Sequence, residues 1–163
     1  SSAGRLFDAV SAIAGLCDEQ SDEAQAAMLL EAAGGDFADA SYEEDDFVVT
    51  QESGLNVLQV SALLQRLFAM RLEGRTPQAI SMRFHAAFSA GMAKLAAECF
   101  PAGATVCLSG GTFLNRFVAA DLSRRLRQMG YRTYLPSLLP PGDGAISFGQ
   151  CAVARQRLDA ATH

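Results

Sequence analysis

Apolar residues recur along this chain at helical spacing, and glycine, proline or acidic breaks separate the runs. Leu6, Val10, Ile13 and Ala14, with Phe7 widening the stripe, predict a first helix that Gly15 ends. Ala26, Leu29, Leu30 and Ala33 predict a second, with Ser21 as N-cap, Asp22 and Glu23 in its first turn, and Gly34-Gly35 closing it. Residues 36–54 are acidic and aromatic, and Phe47-Val48-Val49-Thr50 predicts a short edge strand or hairpin. Leu55 to Leu72 is apolar at helical spacing, and Gly74-Arg75-Thr76-Pro77 turns into an alanine-rich helix running from Pro77 to Cys99.

After Pro101-Ala102-Gly103 the period changes. Thr105-Val106-Cys107-Leu108 predicts a buried parallel strand. Phe113, Phe117, Leu122, Leu126 and Met129 predict one face of the next helix, with Gly130 at its C′ position. Arg132-Thr133-Tyr134-Leu135 predicts a second strand, so this stretch reads as a right-handed βαβ unit. A proline-rich loop, 136–142, leads to a final helix from Ala145 to Leu158. The expected class is α/β, helix-rich, with few strands for its length. The opening Ser1-Ser2-Ala3-Gly4, without an initiator Met, reads as a piece of a larger protein.

Composition narrows the function. Half of the 163 residues are hydrophobic and 19% are charged, which suits one globular domain with a real core. No apolar run reaches the ~18 residues of a membrane span. A net charge of −5 without a basic stripe argues against general nucleic-acid binding. Arg124, Arg125 and Arg127 read as a solvated helix face. Cys17, Cys99, Cys107 and Cys151 lack C-x-x-C spacing and read as buried free thiols in a reducing compartment. With only His85 and His163, the chain holds no His-x-x-x-His metal pair.

Three groups could carry chemistry. Leu108-Ser109-Gly110-Gly111-Thr112-Phe113-Leu114-Asn115 reads as a strand ending in a glycine turn that opens a helix. Glycines let a phosphate approach the backbone, and a helix N-terminus offers N–H groups and positive potential. Gly110 and Gly111 N–H groups could stabilise charge on a transferred unit. Asn115, one turn inside the helix, could hydrogen-bond the ligand. An ordinary βα turn with a surface Asn115 explains the same residues. About thirty residues on, Pro140-Pro141-Gly142-Asp143-Gly144 places one carboxylate at another helix mouth, either an N-cap or a metal ligand. One Asp makes no metal site, so further ligands would come from outside the chain. Gly4 and Asp8, four apart, share a helix face off the apolar stripe, leaving room for a flat ligand beside a carboxylate that can accept from a ribose diol. A solvated helix-terminal Asp is the other reading. His85 reads as a half-buried structural histidine, and Arg5 and Arg83 as solvated or anion-contacting.

These stretches, with Gly4-Arg5-Leu6-Phe7-Asp8-Ala9-Val10, Gln25-Ala26-Ala27-Met28, Arg83-Phe84-His85 and Gly149-Gln150, together resemble the C-terminal part of the hydrogenase maturation carbamoyltransferases, the HypF family. The resemblance runs in register over nearly the whole chain. It implies that residues 1–163 are the second lobe of a domain similar to the tRNA threonylcarbamoyl transferases (TsaD-like). That fold is of the actin and sugar-kinase type, with two α/β lobes closing on ATP.

The resemblance also implies a reaction. Carbamoyl phosphate is cleaved in an acylphosphatase domain, and carbamate becomes carbamoyl adenylate at a nucleotide site with ATP, Mg2+ and release of pyrophosphate. The TsaD-like domain passes the carbamoyl group to the C-terminal cysteine of a HypE-type acceptor; the acylphosphatase, zinc-finger and adenylating (YrdC-like) domains are not in this chain. The product supplies cyanide to [NiFe]-hydrogenase in the cytoplasm, with neither membrane nor nucleic acid as partner. Gly4 and Asp8 match nucleoside-holding positions. Gly110, Gly111 and Asn115 match phosphate or adenylate contacts. Asp143 matches a ligand of one transition-metal ion, Fe or Zn, completed by two histidines outside this chain. No catalytic residue is assigned, and the fragment alone is expected to be inactive.

The chain departs from the family pattern at four places. Gly142 stands for the usual Asn, Ala145 for a common Gly, and Asp22 and Ala24 for the usual Tyr and Gly around Glu23. The alternatives are the tRNA-modifying relative, a sugar-kinase-like phosphotransferase lobe, and a non-catalytic interaction fragment.

Overall fold

The computed structural model describes residues 3–37 and 39–161. Ser1, Ser2 and His163, used above, lie outside the described residues. In order come α1 (Ala3–Ile13), α2 (Gln25–Gly34), a 3-10 turn (Glu44–Asp46), β1 (Val48–Glu52), β2 (Leu55–Gln59), α3 (Ser61–Leu72) and α4 (Pro77–Cys99). Then follow β3 (Thr105–Cys107), a 3-10 turn (Gly111–Leu114), α5 (Arg116–Gln128), β4 (Arg132–Tyr134), a 3-10 turn (Asp143–Ala145) and α6 (Ile146–Ala161).

The fold is built around α4. Pro77 sits at the helix start, and the Thr76 hydroxyl accepts from Ala79 N–H at 3.2 Å, so the entry is capped by the residues that signalled it. From Phe84 to Gly91 every residue of α4 is buried. That all-round burial follows from its neighbours, because α1, α2, α3, α5 and the hairpin all pack against it. The Phe7 ring of α1 meets Phe84 edge-on at 4.8 Å, and Phe88 at 5.3 Å. A Cβ on Gly91 would stand 3.0 Å from Leu58 and 3.2 Å from Phe47, so this glycine is what lets the hairpin lie on α4.

β1 and β2 pair antiparallel, Val48 opposite Gln59 and Glu52 opposite Leu55. β3 and β4 pair parallel, Val106 opposite Thr133, with α5 as the crossover. Val106, Leu108, Leu122, Leu126 and Tyr131 form a second apolar cluster there, reached by Ala93 from α4.

Several expectations are corrected. Leu55–Gln59 is the second hairpin strand, not the start of a helix, because Ser53 and Gly54, both at positive φ, turn the chain back. Ser21 does not cap α2. The Gln25 side chain takes both the Ser21 N–H and hydroxyl, and the helix starts at Gln25. Leu29 is exposed while Ala26 and Leu30 are buried. Met129 follows the end of α5 and is exposed, off the buried face. Cys99, Cys107 and Cys151 are exposed and Cys17 half-buried, so the thiols are free but not buried. Ala145 belongs to the lead-in turn and α6 begins at Ile146. Arg83 is neither solvated nor anion-binding, since it pairs with Asp46 at 2.9 Å. Arg124 and Arg125 are not simply solvated: both pair with Asp121, and Arg125 lies over the Tyr42 ring at 5.0 Å.

The replacement at position 24 has a backbone consequence. Ala24 precedes α2 with φ 59° and ψ 11°, the left-handed region that disfavours a Cβ. Its side chain is exposed and gives up no packing. Ala24→Gly therefore gains stability, about 0.5–1 kcal/mol after glycine's larger unfolded-state entropy is subtracted. A higher urea midpoint at unchanged slope checks this.

Candidate nucleotide site

The site is assembled from the end of β3 upward. The strand stops at Cys107, and Gly110 turns the chain at φ 110° and ψ 163°, where glycine alone is comfortable. The Gly110 N–H donates to the Pro141 carbonyl at 2.7 Å, and the Ser109 hydroxyl donates to the same oxygen at 3.3 Å. The turn after β3 and the loop before α6 are thereby tied together, although some thirty residues separate them. This tie corrects one expectation: the Gly110 N–H is engaged and cannot serve a ligand. Gly111 N–H, the first donor of the 3-10 turn, has no partner within that turn. Nothing stands within 4 Å of where a Cβ on Gly111 would point.

Gly142 lies against Gly111. A Cβ there would meet the Gly111 Cα at 3.6 Å and Leu114 at 3.7 Å, ordinary contacts, and its φ of −94° does not require glycine. The backbone at 142 therefore has room for a Cβ. Asp143 follows, exposed, as the first residue of the turn into α6. Its exposed carboxylate can be reached by a ligand. Among the described residues no group of three or more His, Cys, Asp or Glu could hold a metal. The chain fits a metal as the donor of one carboxylate, not as a complete site.

Asn115 is placed differently from the expectation. It is not one turn inside a helix and not on the surface. It is the N-cap of α5, 7% exposed, its Oδ1 accepting from Val118 N–H at 3.0 Å. Its Nδ2 donates to His85 Nε2 at 2.9 Å. The imidazole is fully buried rather than half-buried, and its Nδ1 lies 2.8 Å from the Ser81 carbonyl, which places the proton on Nδ1. Burial pushes the imidazole down to about 4, against a smaller upward pull from the Ser81 carbonyl. At neutral pH the ring is uncharged and Nε2 is an acceptor.

Gly4 is exposed and Asp8 half-buried on α1. α1 is linked to the glycine turn through Phe7 rather than through Gly4 or Asp8. Phe7, beside Asp8, sets its ring edge-on to His85 at 5.6 Å, and His85 holds Asn115. A cleft of about 700 Å3 opens beside the turn. Met28, Phe37, Leu114 and Phe117 supply apolar surface, and Glu31, Asp36 and Arg116 charged groups. The Glu31 carboxylate accepts from Arg116 N–H at 2.9 Å. Sequence reasoning missed the cleft, the Pro141 tie and the His85–Asn115 bond. An Asn placed where α5 begins was a readable signal for a cap.

The sequence profile of the carbamoyltransferase Kae1-like domain, second subdomain, matches residues 1–150. A carbamoyltransferase HypF homolog of Cupriavidus necator is 35% identical over 99% of this chain and 42% of its own length. Carbamoyltransferase HypF of Rhizobium leguminosarum bv. viciae is 39% identical over 96% of this chain and 20% of its own. The crystal structure of full-length HypF in its phosphate- and nucleotide-bound form matches with a TM-score of 0.81 and 33% identity, covering 97% of this chain and 21% of that one. T. kodakarensis HypF matches at 0.72 and 25% identity, covering 98% of this chain and 20% of that one. The chain thus spans less than half the length of these relatives.

Proposed function

This chain belongs to the HypF family of carbamoyltransferases, and on that footing we propose that it is the nucleotide-facing second lobe of an ATP-dependent carbamoyl-transfer site. The observation that carries the reading is the tie through the Pro141 carbonyl. It holds the open Gly111 turn and the Asp143 loop side by side. A phosphate at the turn can approach the Gly111 backbone on the side where a Cβ would point, which is open. The apolar cleft beside Leu114 takes the flat base, and Asp8 on α1 accepts from the ribose hydroxyls, with Gly4 leaving room beside it.

The nucleotide in this reading is ATP, with Mg2+, or the carbamoyl adenylate formed from it: carbamoyl phosphate is hydrolysed to carbamate and phosphate, and carbamate displaces pyrophosphate from ATP. The acceptor is the C-terminal cysteine of a HypE-type protein, serving hydrogenase maturation in the cytoplasm. No described helix is long and apolar enough to cross a membrane. Asp143 contributes one carboxylate to a transition-metal ion, Fe or Zn, whose histidine ligands come from outside this chain. Such an ion would polarise phosphate or carbamoyl oxygens. This chain's own part is to hold the nucleotide and present that carboxylate.

The test uses the full-length protein carrying this segment, with ATP, carbamoyl phosphate and the acceptor. Transfer is read as a mass gain of one carbamoyl group on the acceptor cysteine. The wild type is expected to transfer, and Asp143→Ala, an exposed substitution that keeps the fold, to lose transfer. A wild type that transfers nothing, or phosphorylates a sugar instead, overturns the reading. An Asp143→Ala protein of wild-type activity removes the metal role.

A further inference from the structure

We infer that His85 is a positioning residue for nucleotide binding: it fixes the Asn115 amide and, through it, the turn that carries Gly111. The inference rests on the nucleotide-site reading above and concerns a residue to which that reading gives no task.

A buried imidazole needs a reason. Phe7, Phe37, Phe84 and Phe117 surround this ring edge-on at 4.8 to 5.9 Å, an environment that an apolar side chain would fill at no polar cost. What imidazole adds is direction. Nδ1–H is committed to the Ser81 carbonyl, so Nε2 can only accept. Asn115 must then present Nδ2 to His85 and Oδ1 to Val118 N–H. The flipped amide would set a donor against a donor at Val118. One ring thus selects one of two amide orientations, and the selected one is the helix cap.

The selection reaches the turn through the backbone. Asn115 N–H closes the 3-10 turn onto Thr112 carbonyl at 3.2 Å, and Asn115 carbonyl receives the first α5 bond, from Ala119 at 3.0 Å. The last bond of the turn and the first bond of the helix therefore meet on the residue that His85 holds. Ser81, whose carbonyl orients the ring, is itself anchored by its hydroxyl to the Leu30 carbonyl of α2. Gly111 is thus referenced to α4 and α2, the rigid centre of the fold. Sub-ångström placement of a binding group is worth much of its affinity.

The test is a saturation series in ATP on the full-length protein, separating KM from kcat for carbamoyl transfer. Glutamine can place a carbonyl oxygen near the Nε2 position, whereas leucine fills the volume without an acceptor. His85→Leu should raise KM for ATP about tenfold with kcat within about twofold, and His85→Gln should recover most of the loss. In an Asn115→Ser background, which keeps a capping hydroxyl but cannot reach the ring, His85→Leu should add less than twofold, because it acts through the bond already lost. If His85→Leu does not fold, His85→Met replaces it. Unchanged KM in a folded apolar variant, equal damage from Gln and Leu, or additive losses in the Asn115→Ser background each overturn the inference while leaving the nucleotide reading intact. A wild type that shows no ATP dependence overturns that reading and the inference with it.

Discussion

Replacing Asp46 by alanine lowers the unfolding free energy by about 3–5 kcal/mol. The carboxylate is wholly inaccessible to solvent, and each of its oxygens is used. Oδ1 takes Arg83 Nη2 at 2.9 Å and Arg66 Nε at 3.3 Å, and Oδ2 accepts from Glu43 N–H at 2.9 Å. Three segments meet on it: the acidic turn before the hairpin, α3 and α4. Alanine would leave two guanidinium groups facing each other, Arg66 with only the exposed Asp45 at 2.8 Å and Arg83 with only the exposed Glu43 at 3.7 Å. Arg83 has little recourse to water, being 18% exposed, with its Nε already buried and unpaired among the described residues. Exposed ion pairs count for under about 1 kcal/mol, and the full burial of this acceptor is what lifts the figure. With no tryptophan in the chain, urea unfolding is followed by far-UV circular dichroism. Asp46→Asn, which keeps an oxygen and the volume, should fall between wild type and alanine. A loss under about 1 kcal/mol for alanine would show the pairing to be incidental.

Acid should act through His85 before it acts on the carboxylates. In the unfolded chain this histidine titrates near 6.5 and in the folded chain near 4. Between those values the unfolded chain binds a proton that the folded chain refuses, so stability rises with pH. The contribution is complete above the unfolded value, declines as pH falls toward 4, and is gone below it. The gap corresponds to about 3 kcal/mol. The groups packed against the ring, four phenylalanines with Ser81 and Asn115, bring no charge to offset this. Urea midpoints at about pH 7.5 and about pH 5 should differ in the wild type by more than in His85→Gln, which keeps the exposed titrating groups and removes this one. Equal differences in the two proteins would mean that the ring is not held neutral.

How much of this was legible depends on the range of the interaction. The helices announced themselves through apolar spacing, and α4 through Thr76-Pro77, because both signals are local. β2 did not. Leu55 and Leu58 are three apart and run into Leu63 and Leu67, which imitates a helix, and only Ser53-Gly54 carried the contrary signal. Cys107 looked buried among Val106 and Leu108, yet strand alternation sends it to the opposite face. The glycine turn and Asp143 were readable because their chemistry is compact in sequence. The Pro141 carbonyl that joins them is a backbone group, and no residue type marks it. Asp46 was invisible for the opposite reason: it is one of four adjacent acids that nothing local distinguishes, and only the arrival of Arg66 and Arg83 from two helices singles it out.

Among its described side chains α6 buries none: Ile146, Phe148 and Val153 are exposed, and the helix packs chiefly on the turn that bears Asp143. A helix of this length without a supporting surface is marginal in water, since its first turn fixes several residues for one hydrogen bond. A surface that covered Ile146 and Phe148 would steady the helix mouth and with it the carboxylate. The relation is reciprocal by thermodynamic necessity: whatever Asp143 ligates must tighten that contact by the factor by which the contact tightens the ligand. The glycine turn is anchored inward, on α4, and the Asp143 loop is tied to it on one side at Pro141, while on its other side it leads into a helix that little else supports.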